Sequence, residues 1–308
     1  MTPEDRMERL SQLPLTRVGG LSAGSGGFWS TVREILGRTP MLALLVRRDI
    51  KARYKDSSLG LLWTLIRPLT QLMIFYLVVG KFLQVERGIP EFAIYIFSGL
   101  TVYGLFSEII SSGTGSIVGN SGIIKKVYLP RELFPMAATG TALFNFSIQA
   151  VILIIATFAV GSPPLTGDLI YVIPSILLLI AFAFAIALLL SAINVYLRDV
   201  QYLVEVFLMV MMYASPIIYS WTMVKKALGD GILLQIYTNN PVTLAVLGFQ
   251  RAFWTAGHVE NYPDPTLAPE YPDFLLLRIL IALVVCLFCV FISQRIFARL
   301  QGNFAQAL

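Results

Sequence analysis

The sequence predicts an all-α integral membrane protein with six transmembrane helices, an N-terminal amphipathic interfacial helix, and short re-entrant outer helices between the fifth and sixth spans. Three observations carry this. Of the 308 residues, 56% are hydrophobic and 13% charged, where a soluble domain carries about 25% charged residues. Several apolar runs reach the roughly 20 residues that a bilayer core requires. They do not alternate as barrel strands do, and in lipid the helix is the other way to pair every backbone group. The cations, finally, gather on alternate connections, as topology signals do.

Residues 1–38 read as a flexible cytoplasmic arm. It is polar and charged, without the pattern of a cleavable signal peptide, and Gly19, Gly20, Gly24, Gly26 and Gly27 mark it as irregular. A helix is expected over about 39–55, with Thr39 as N-cap and Pro40 in the first turn, where its missing donor is harmless. Arg47, Lys51 and Lys55 then form a basic ridge opposite Leu42, Leu45, Val46 and Ile50, which suits a helix lying in the membrane interface. Six spans follow at about 63–83, 92–113, 132–160, 170–195, 203–221 and 274–296, with a short tail at 301–308. On this topology sixteen of the 23 Lys and Arg lie on the side of the two termini, ten of them before Trp63, and six lie on the other side. The bias makes both termini cytoplasmic. In the long outer segment, Gly231 to Trp254 is too apolar for a plain loop yet is broken at Asn239, Asn240 and Pro241, which fits two short helices dipping into the outer leaflet. Pro263, Pro265, Pro269 and Pro272 mark an extended surface loop after it.

Several chemistries are set aside on these residues. The net charge of +5 belongs to membrane flanks and not to a basic stripe with interleaved aromatics, which argues against nucleic acid. Cys286 and Cys289 form a C-x-x-C spacing inside an apolar run, where packing is the better reading than redox chemistry. The sequence contains no G-x-x-x-x-G-K-[ST] phosphate loop, and His258 alone makes no metal cluster, so catalytic, cofactor and metal sites are not expected in this chain. Glu108 and Glu205 are the membrane carboxylates that could serve proton coupling or glycosyl transfer. The reading preferred for both is structural, toward the cytoplasmic helix ends, with water or a partner such as Arg67. The Asn145-Phe146-Ser147 sequon falls within a span, out of reach of glycosylation.

Two features point toward transport. The connection from Asn120 to Arg131 combines a polar start, Ile123 and Ile124, then Lys125 and Lys126 before Tyr128-Leu129-Pro130-Arg131-Glu132. A simple connection with topogenic charge fits it, and so does a short amphipathic element that receives force from a soluble motor. In the second span Phe92, Tyr95, Gly99, Tyr103 and Phe106 share a sector of roughly 80°. Such a stripe offers sugar rings weak contacts along a path, and equally fits helix packing or an interfacial aromatic belt.

The run Arg48-Asp49-Ile50-Lys51-Ala52-Arg53-Tyr54-Lys55, continuing through Ser58-Leu59-Gly60 to Trp63 and Pro68-Leu69, resembles the N-terminal signature of type-2 ABC permeases that export polysaccharides. Three further segments resemble that family in the same order. They are Lys126-Val127-Tyr128-Leu129-Pro130-Arg131-Glu132, then Arg198-Asp199-Val200 with Ser215-Pro216, then Asn240-Pro241 with Arg251. The likeness covers about residues 39 to 300; the Gly-rich arm and the stretch 261–272 lie outside its pattern.

The resemblance implies a homodimer joined to two cytoplasmic ATPase subunits, which would bind the ATP and Mg that this chain does not. It implies ATPase coupling through Arg48, Asp49, Arg53, Lys125, Lys126, Tyr128, Arg131 and Glu132, and an outer gate at Asn240, Pro241 and Arg251. The substrate path would run between the two copies, with Phe92, Tyr95, Tyr103 and Phe106 assigned to it. Expected partners are a second copy, the ATPase, membrane lipids and a lipid-linked glycan of O-antigen, teichoic acid or galactan type. A related exporter of a lipid or drug-like molecule is the alternative. A polyprenyl-linked membrane transferase is a third, and would want an acidic, metal-binding pair in a cytoplasmic loop.

Overall fold

The computed structural model describes residue 33 and residues 37–54, 62–82, 89–126, 129–258 and 269–308. The glycines of the arm, Lys55, Tyr128, Pro263 and Pro265 lie outside the described residues. Every regular element among the described residues is helical. Helix α1 spans Thr39–Tyr54, and α2 spans Leu62–Ile74 before passing into a wider π-helical stretch at Phe75–Phe82. Then come α3 (Phe92–Gly119), the short turn α4 (Ser121–Ile124), α5 (Leu133–Val160) and α6 (Val172–Tyr196), which a 3-10 turn at Gly167–Tyr171 introduces. The chain continues through α7 (Val200–Tyr213), α8 (Trp221–Leu228), α9 (Ile232–Thr238) and α10 (Pro241–Phe253). It ends with α11 (Leu275–Leu300) and the turn α12 (Phe304–Ala307).

Four helical segments are long and apolar enough to cross a bilayer: Phe92–Gly119, Leu133–Val160, Gly167–Tyr196 and Leu275–Leu300. They correspond to the second, third, fourth and sixth expected spans. A fifth is present if α9 and α10, bent by 70° at their junction, are counted as one broken span. Asn240 makes that bend a clean restart: its side chain accepts from Val242 N at 3.0 Å, and Pro241 sits in the first turn, where no donor is needed. The fifth expected span, at 203–221, is shorter than read from sequence. Its helix stops at Tyr213, about 21 Å long at 1.5 Å per residue, because Pro216 lacks a donor and disfavours helical geometry at Ser215. Where the first span is expected, Pro68 lies inside α2 and the apolar helical core runs only from Pro68 to Val78. Helix α1 begins at Thr39 itself, so Thr39 is its first residue and not its cap.

Helix α3 is the centre of the bundle. It packs along α5 and α6 and against α10 and α7. Of its most apolar window 78% is buried, against 50% for the α6 segment, 22% for α5 and 17% for α11, so protein and not lipid surrounds it. Small residues let the helices close in. A Cβ on Gly113 would stand 2.7 Å from the Ala187 Cβ of α6, and one on Gly140 in α5 would stand 2.7 Å from Val46 of α1. Buried hydroxyls on α3 turn back to their own helix, Thr101 to Phe97 O at 2.7 Å and Thr114 to Ile110 O at 2.7 Å. At one end a second apolar cluster joins Leu45 of α1 to Ile117, Leu133, Phe134, Phe297 and Phe304. On α1 this inward row is flanked by Leu44, which stays 61% exposed.

The close approach of α3 and α6 sets a stability test. Gly119, with nothing within 4 Å of a built Cβ, serves as the control. Gly113→Ala should be less stable than Gly119→Ala by about 1–3 kcal/mol, the cost of overpacking a helix contact that has no flexible neighbour to yield. Thermal unfolding of the two purified variants in one detergent measures the difference, and equal melting would contradict the packing.

Candidate functional site

The residues of α3 divide into two faces. Phe92, Tyr95, Tyr103 and Phe106 share one sector and point into the chain's own core, with exposures of 2%, 3%, 7% and 0%. Tyr95 meets Trp254 edge to face at 4.8 Å, and its hydroxyl donates to Tyr219 O at 2.7 Å with Pro216 O at 3.1 Å beside it. The Tyr103 hydroxyl reaches Leu208 O, and Phe106 stacks on Phe182 at 5.8 Å. The four rings assigned to a path from sequence are therefore core residues in this structure. The reason is physical: the break after α7 leaves backbone carbonyls at Pro216 and Tyr219 that need buried donors, which Gln250 Nε2 and the Tyr95 hydroxyl supply.

The opposite face of the same helix is open. Gly104, Ser107, Glu108, Ser111, Ser112, Gly115 and Gly119 recur at helical spacing, about half a turn from the aromatic sector. They line a cavity of about 1630 Å³. Arg48, Asp49 and Arg53 of α1 form another wall, with Trp63 and Gln71 of α2, Thr141, Asn145 and Gln149 of α5, and Gln201 of α7. Sequence reasoning missed this site. Its signal is the repeat of small and polar residues at 104, 107, 108, 111, 112, 115 and 119, which is legible once the aromatic face is known to be taken.

Glu108 is the ionic hinge of that cavity. It pairs with Arg53 Nη1 at 2.5 Å and accepts from Asn145 Nδ2 at 2.6 Å, tying α1, α3 and α5 together. Its partner is thus Arg53, while the side chain of Arg67 lies outside the described residues. Because α3 extends to Gly119, Glu108 sits about three turns inside the helix, deeper than the sequence reading placed it. Asn145 is 4% exposed within α5. Glu205 is exposed on α7.

The coupling candidates gather at the end where α1 meets the connection after α3. Arg48 pairs with Asp49 at 2.6 Å and donates to Asn120 Oδ1 at 2.7 Å. Lys125 and Lys126 are exposed just beyond α4. Arg131 lies 5.5 Å from the ring centre of Phe304, and Glu132, 4% exposed, precedes α5. Tyr128 is outside the described residues. At this same end Phe304 packs on Phe297 at 5.6 Å and on Tyr196 at 6.0 Å, so the short tail is anchored in the bundle.

At the other end Asn240 and Pro241 start α10, and Arg251 is held inside a small cage. Its guanidinium pairs with Asp168 at 3.1 Å and lies 4.8 Å from the Tyr171 ring centre and 5.5 Å from that of Tyr271. His258 Nε2 is 3.4 Å from the second Asp168 oxygen and 2.9 Å from Arg251 O. Burial pushes the Tyr271 phenol above its ordinary value, so its hydroxyl stays neutral. The hydrogen bond from Lys225 to Glu270, at 2.5 Å, raises the lysine above its ordinary value. The three gate residues expected from sequence thus make a cap, a helix start and an ion pair between helices.

A bundle of apolar helices wrapped round a polar cavity is the architecture of a membrane transport protein. The sequence profile of the ABC-2 type transporter family matches residues 41–254, and the chain belongs to that family. It is similar to the O-antigen export system permease protein RfbA of Myxococcus xanthus, 28% identical over 223 residues that cover 72% of this chain and 84% of the relative. An O-antigen export system permease protein of Klebsiella pneumoniae is 27% identical over 269 residues, 87% of this chain and 95% of the relative. The polysialic acid transport protein of Escherichia coli is 30% identical over 81 residues, 26% of this chain and 31% of the relative.

If the aromatic face is core, truncation there costs stability. Tyr95→Ala should lose about 3–5 kcal/mol as a buried aromatic, and Tyr95→Phe about 0.5–1.5 kcal/mol for the lost hydrogen bond alone. Thermal stability in detergent, with the yield of membrane protein, measures both. Unchanged stability in Tyr95→Ala would return the ring to an open path.

Proposed function

We propose that this chain is the permease subunit of an ABC exporter that carries a lipid-linked polysaccharide, of O-antigen, teichoic acid or galactan type, outward across the bacterial plasma (inner) membrane. The observation that carries the reading is the polar cavity along α3. Polymer hydroxyls stripped of water without partners cost at least about 1–3 kcal/mol each, so a glycan needs a hydrophilic lining through the bilayer. Small and polar residues of α3 with amides from α2, α5 and α7 supply one. An exporter of an apolar molecule gains nothing from such a lining. The path is accordingly placed along the polar face of α3, and the aromatic face holds that helix in position.

In this reading α2 with its π-helical extension and α7 with the turn after it serve as the first and fifth crossings, giving six. The α9–α10 pair dips into the outer leaflet, α1 lies in the interface, and both termini are cytoplasmic. Two permease copies assemble with two ATPase subunits, which bind ATP and Mg. Exposed apolar side chains on α7, among them Tyr202, Leu203, Val206, Met209 and Val210, are available to lipid and to the second copy. Lys125, Lys126 and the neighbouring Tyr128 and Arg131 meet the ATPase, while Glu132, buried at the start of α5, lies beneath that surface. Arg48, Asp49 and Arg53 carry its motion inward through Asn120 and Glu108.

Two measurements test the assembly. The purified chain should hydrolyse no ATP, and its complex should contain two copies of each subunit; hydrolysis by rigorously purified permease would overturn the division of labour. Combining Lys125→Glu with Lys126→Glu should reduce co-purifying ATPase and glycan export together while changing stability by less than about 0.5 kcal/mol, since both lysines are exposed. Normal export by that variant would remove these residues from the docking surface.

A further inference from the structure

Helix α11 is the least enclosed of the four long apolar segments, with 17% of its most apolar window buried. Phe274, just before its first residue, falls with Arg278, Ile281, Val285 and Phe288 within a sector of about 80°, and the four apolar members are each more than half exposed. Such a stripe suits lipid, yet a guanidinium stands near its start. All three of its hydrogen bonds go to neutral acceptors. Nε donates to Asp273 O at 2.9 Å, and Nη1 donates to Gln235 Oε1 at 2.9 Å and to Asn239 Oδ1 at 3.0 Å. Nη2 has no partner among the described residues. The carboxylates at this end are spent elsewhere, Glu270 on Lys225 and Asp168 on Arg251, with Asp230 and Asp273 adding their field to Lys225. The three bonds hold the guanidinium in place and leave its charge unmatched, a costly state beside hydrocarbon. On α9, which carries Gln235, the neighbouring Ile232, Leu233 and Ile236 are also more than half exposed.

We propose that Arg278 anchors the phosphate of an anionic bilayer phospholipid, whose acyl chain lies along Ile281, Val285 and Phe288. One helix face then offers what both ends of such a molecule need. A guanidinium matches phosphate in charge and in the spacing of its donors, and Nη2 supplies donors that no protein group has taken. Arg278 lies three residues into α11, about 4.5 Å along the axis. Its side chain leans back toward the helix start, so the charge reaches headgroup level while its stem stays on apolar surface. From Ile281 to Phe288 the stripe runs on for two turns, about 10 Å into the hydrocarbon. Charge complementarity selects the occupant: an unmatched cation at the head of an apolar stripe fits a molecule that carries an anion on an apolar chain. In the topology proposed above α11 starts on the outer side, which places the site in the outer leaflet. Only the leaflet rests on that reading; the binding itself is independent of the export role.

Native mass spectrometry of the full chain, purified and stripped of lipid in detergent, tests the site with three probes: dioleoyl phosphatidylglycerol, dioleoylglycerol, which has the same chains and no phosphate, and glycerol phosphate, which has no chains. Phosphatidylglycerol should bind at least about fivefold more tightly than dioleoylglycerol, the worth of one basic residue beside an anionic headgroup, and glycerol phosphate should not displace it. Arg278→Gln should remove that preference. Gln235→Glu is the sharper variant, because it keeps the bond to Arg278 and puts a carboxylate where the neutral amide stood. It should weaken phosphatidylglycerol by about fivefold with no loss of melting temperature, whereas a guanidinium that only joins α9 to α11 would leave lipid binding unchanged. Should Arg278→Gln fail to fold, Gln235→Glu decides alone. Equal binding of phosphatidylglycerol and dioleoylglycerol, displacement by glycerol phosphate, or unchanged phosphatidylglycerol binding in Gln235→Glu or in folded Arg278→Gln would each overturn the site. Loss of a two-copy species in Arg278→Gln, with lipid binding intact, would give the stripe to a second copy of the chain instead.

Discussion

The structure depends on one requirement: α3 carries a run of small and polar residues through the middle of an apolar bundle, and such a face cannot meet lipid. Each unpaired polar group in hydrocarbon costs several kcal/mol, so the helix has to be enclosed. The chain meets this by setting its other face, Phe92, Tyr95, Tyr103 and Phe106, deep among α6, α7 and α10. The aromatic anchor fixes the rotation of α3, and the rotation leaves the polar face toward α1, α2 and α5. The cavity follows from that single orientation.

The contacts at the charged end give the cavity a handle. Helix α1 touches α3 through Arg48 to Asn120 and through Arg53 to Glu108, while Val46 rests against Gly140 of α5. These three contacts connect α1 to the helices that build the cavity. Arg53 and Glu108 are partly exposed, so their ion pair is worth about 1 kcal/mol or less. At the opposite end the cage of Arg251, Asp168, His258, Tyr171 and Tyr271 joins the turn before α6 to α10 and to the approach to α11. Those ties fasten elements to one another without entering the cavity.

Much of the fold is legible in the sequence, and the failures share a cause. The long apolar runs of α3, α5, α6 and α11 set their own lengths, so hydropathy finds them. Asn240-Pro241 announces a helix restart through chemistry that is local. The fifth span reads too long because hydropathy counts Pro216, Ile217 and Ile218 as membrane residues while the backbone has already left the helix at Tyr213. The aromatic stripe is the sharper lesson. Its periodicity places four rings in one sector correctly, but no periodicity tells which neighbour a sector faces. That depends on carbonyls at Pro216 and Tyr219, more than a hundred residues away in sequence. For the same reason Glu108 gains Arg53 and Asn145 as partners, which no local spacing could reveal.

The two-faced α3 can be tested directly by cysteine accessibility. Cys286 and Cys289 are the only cysteines, so their replacement by Ala gives a background free of thiols. Single cysteines are then placed at Ser107, Ser111 and Gly115 on one face and at Tyr103 and Phe106 on the other, and membranes open to both sides are treated with a hydrophilic maleimide. The account predicts rapid modification at Ser107, Ser111 and Gly115 and protection at Tyr103 and Phe106. Rapid modification at Tyr103 and Phe106, with Ser107, Ser111 and Gly115 protected, would contradict it and return the aromatic face to the path.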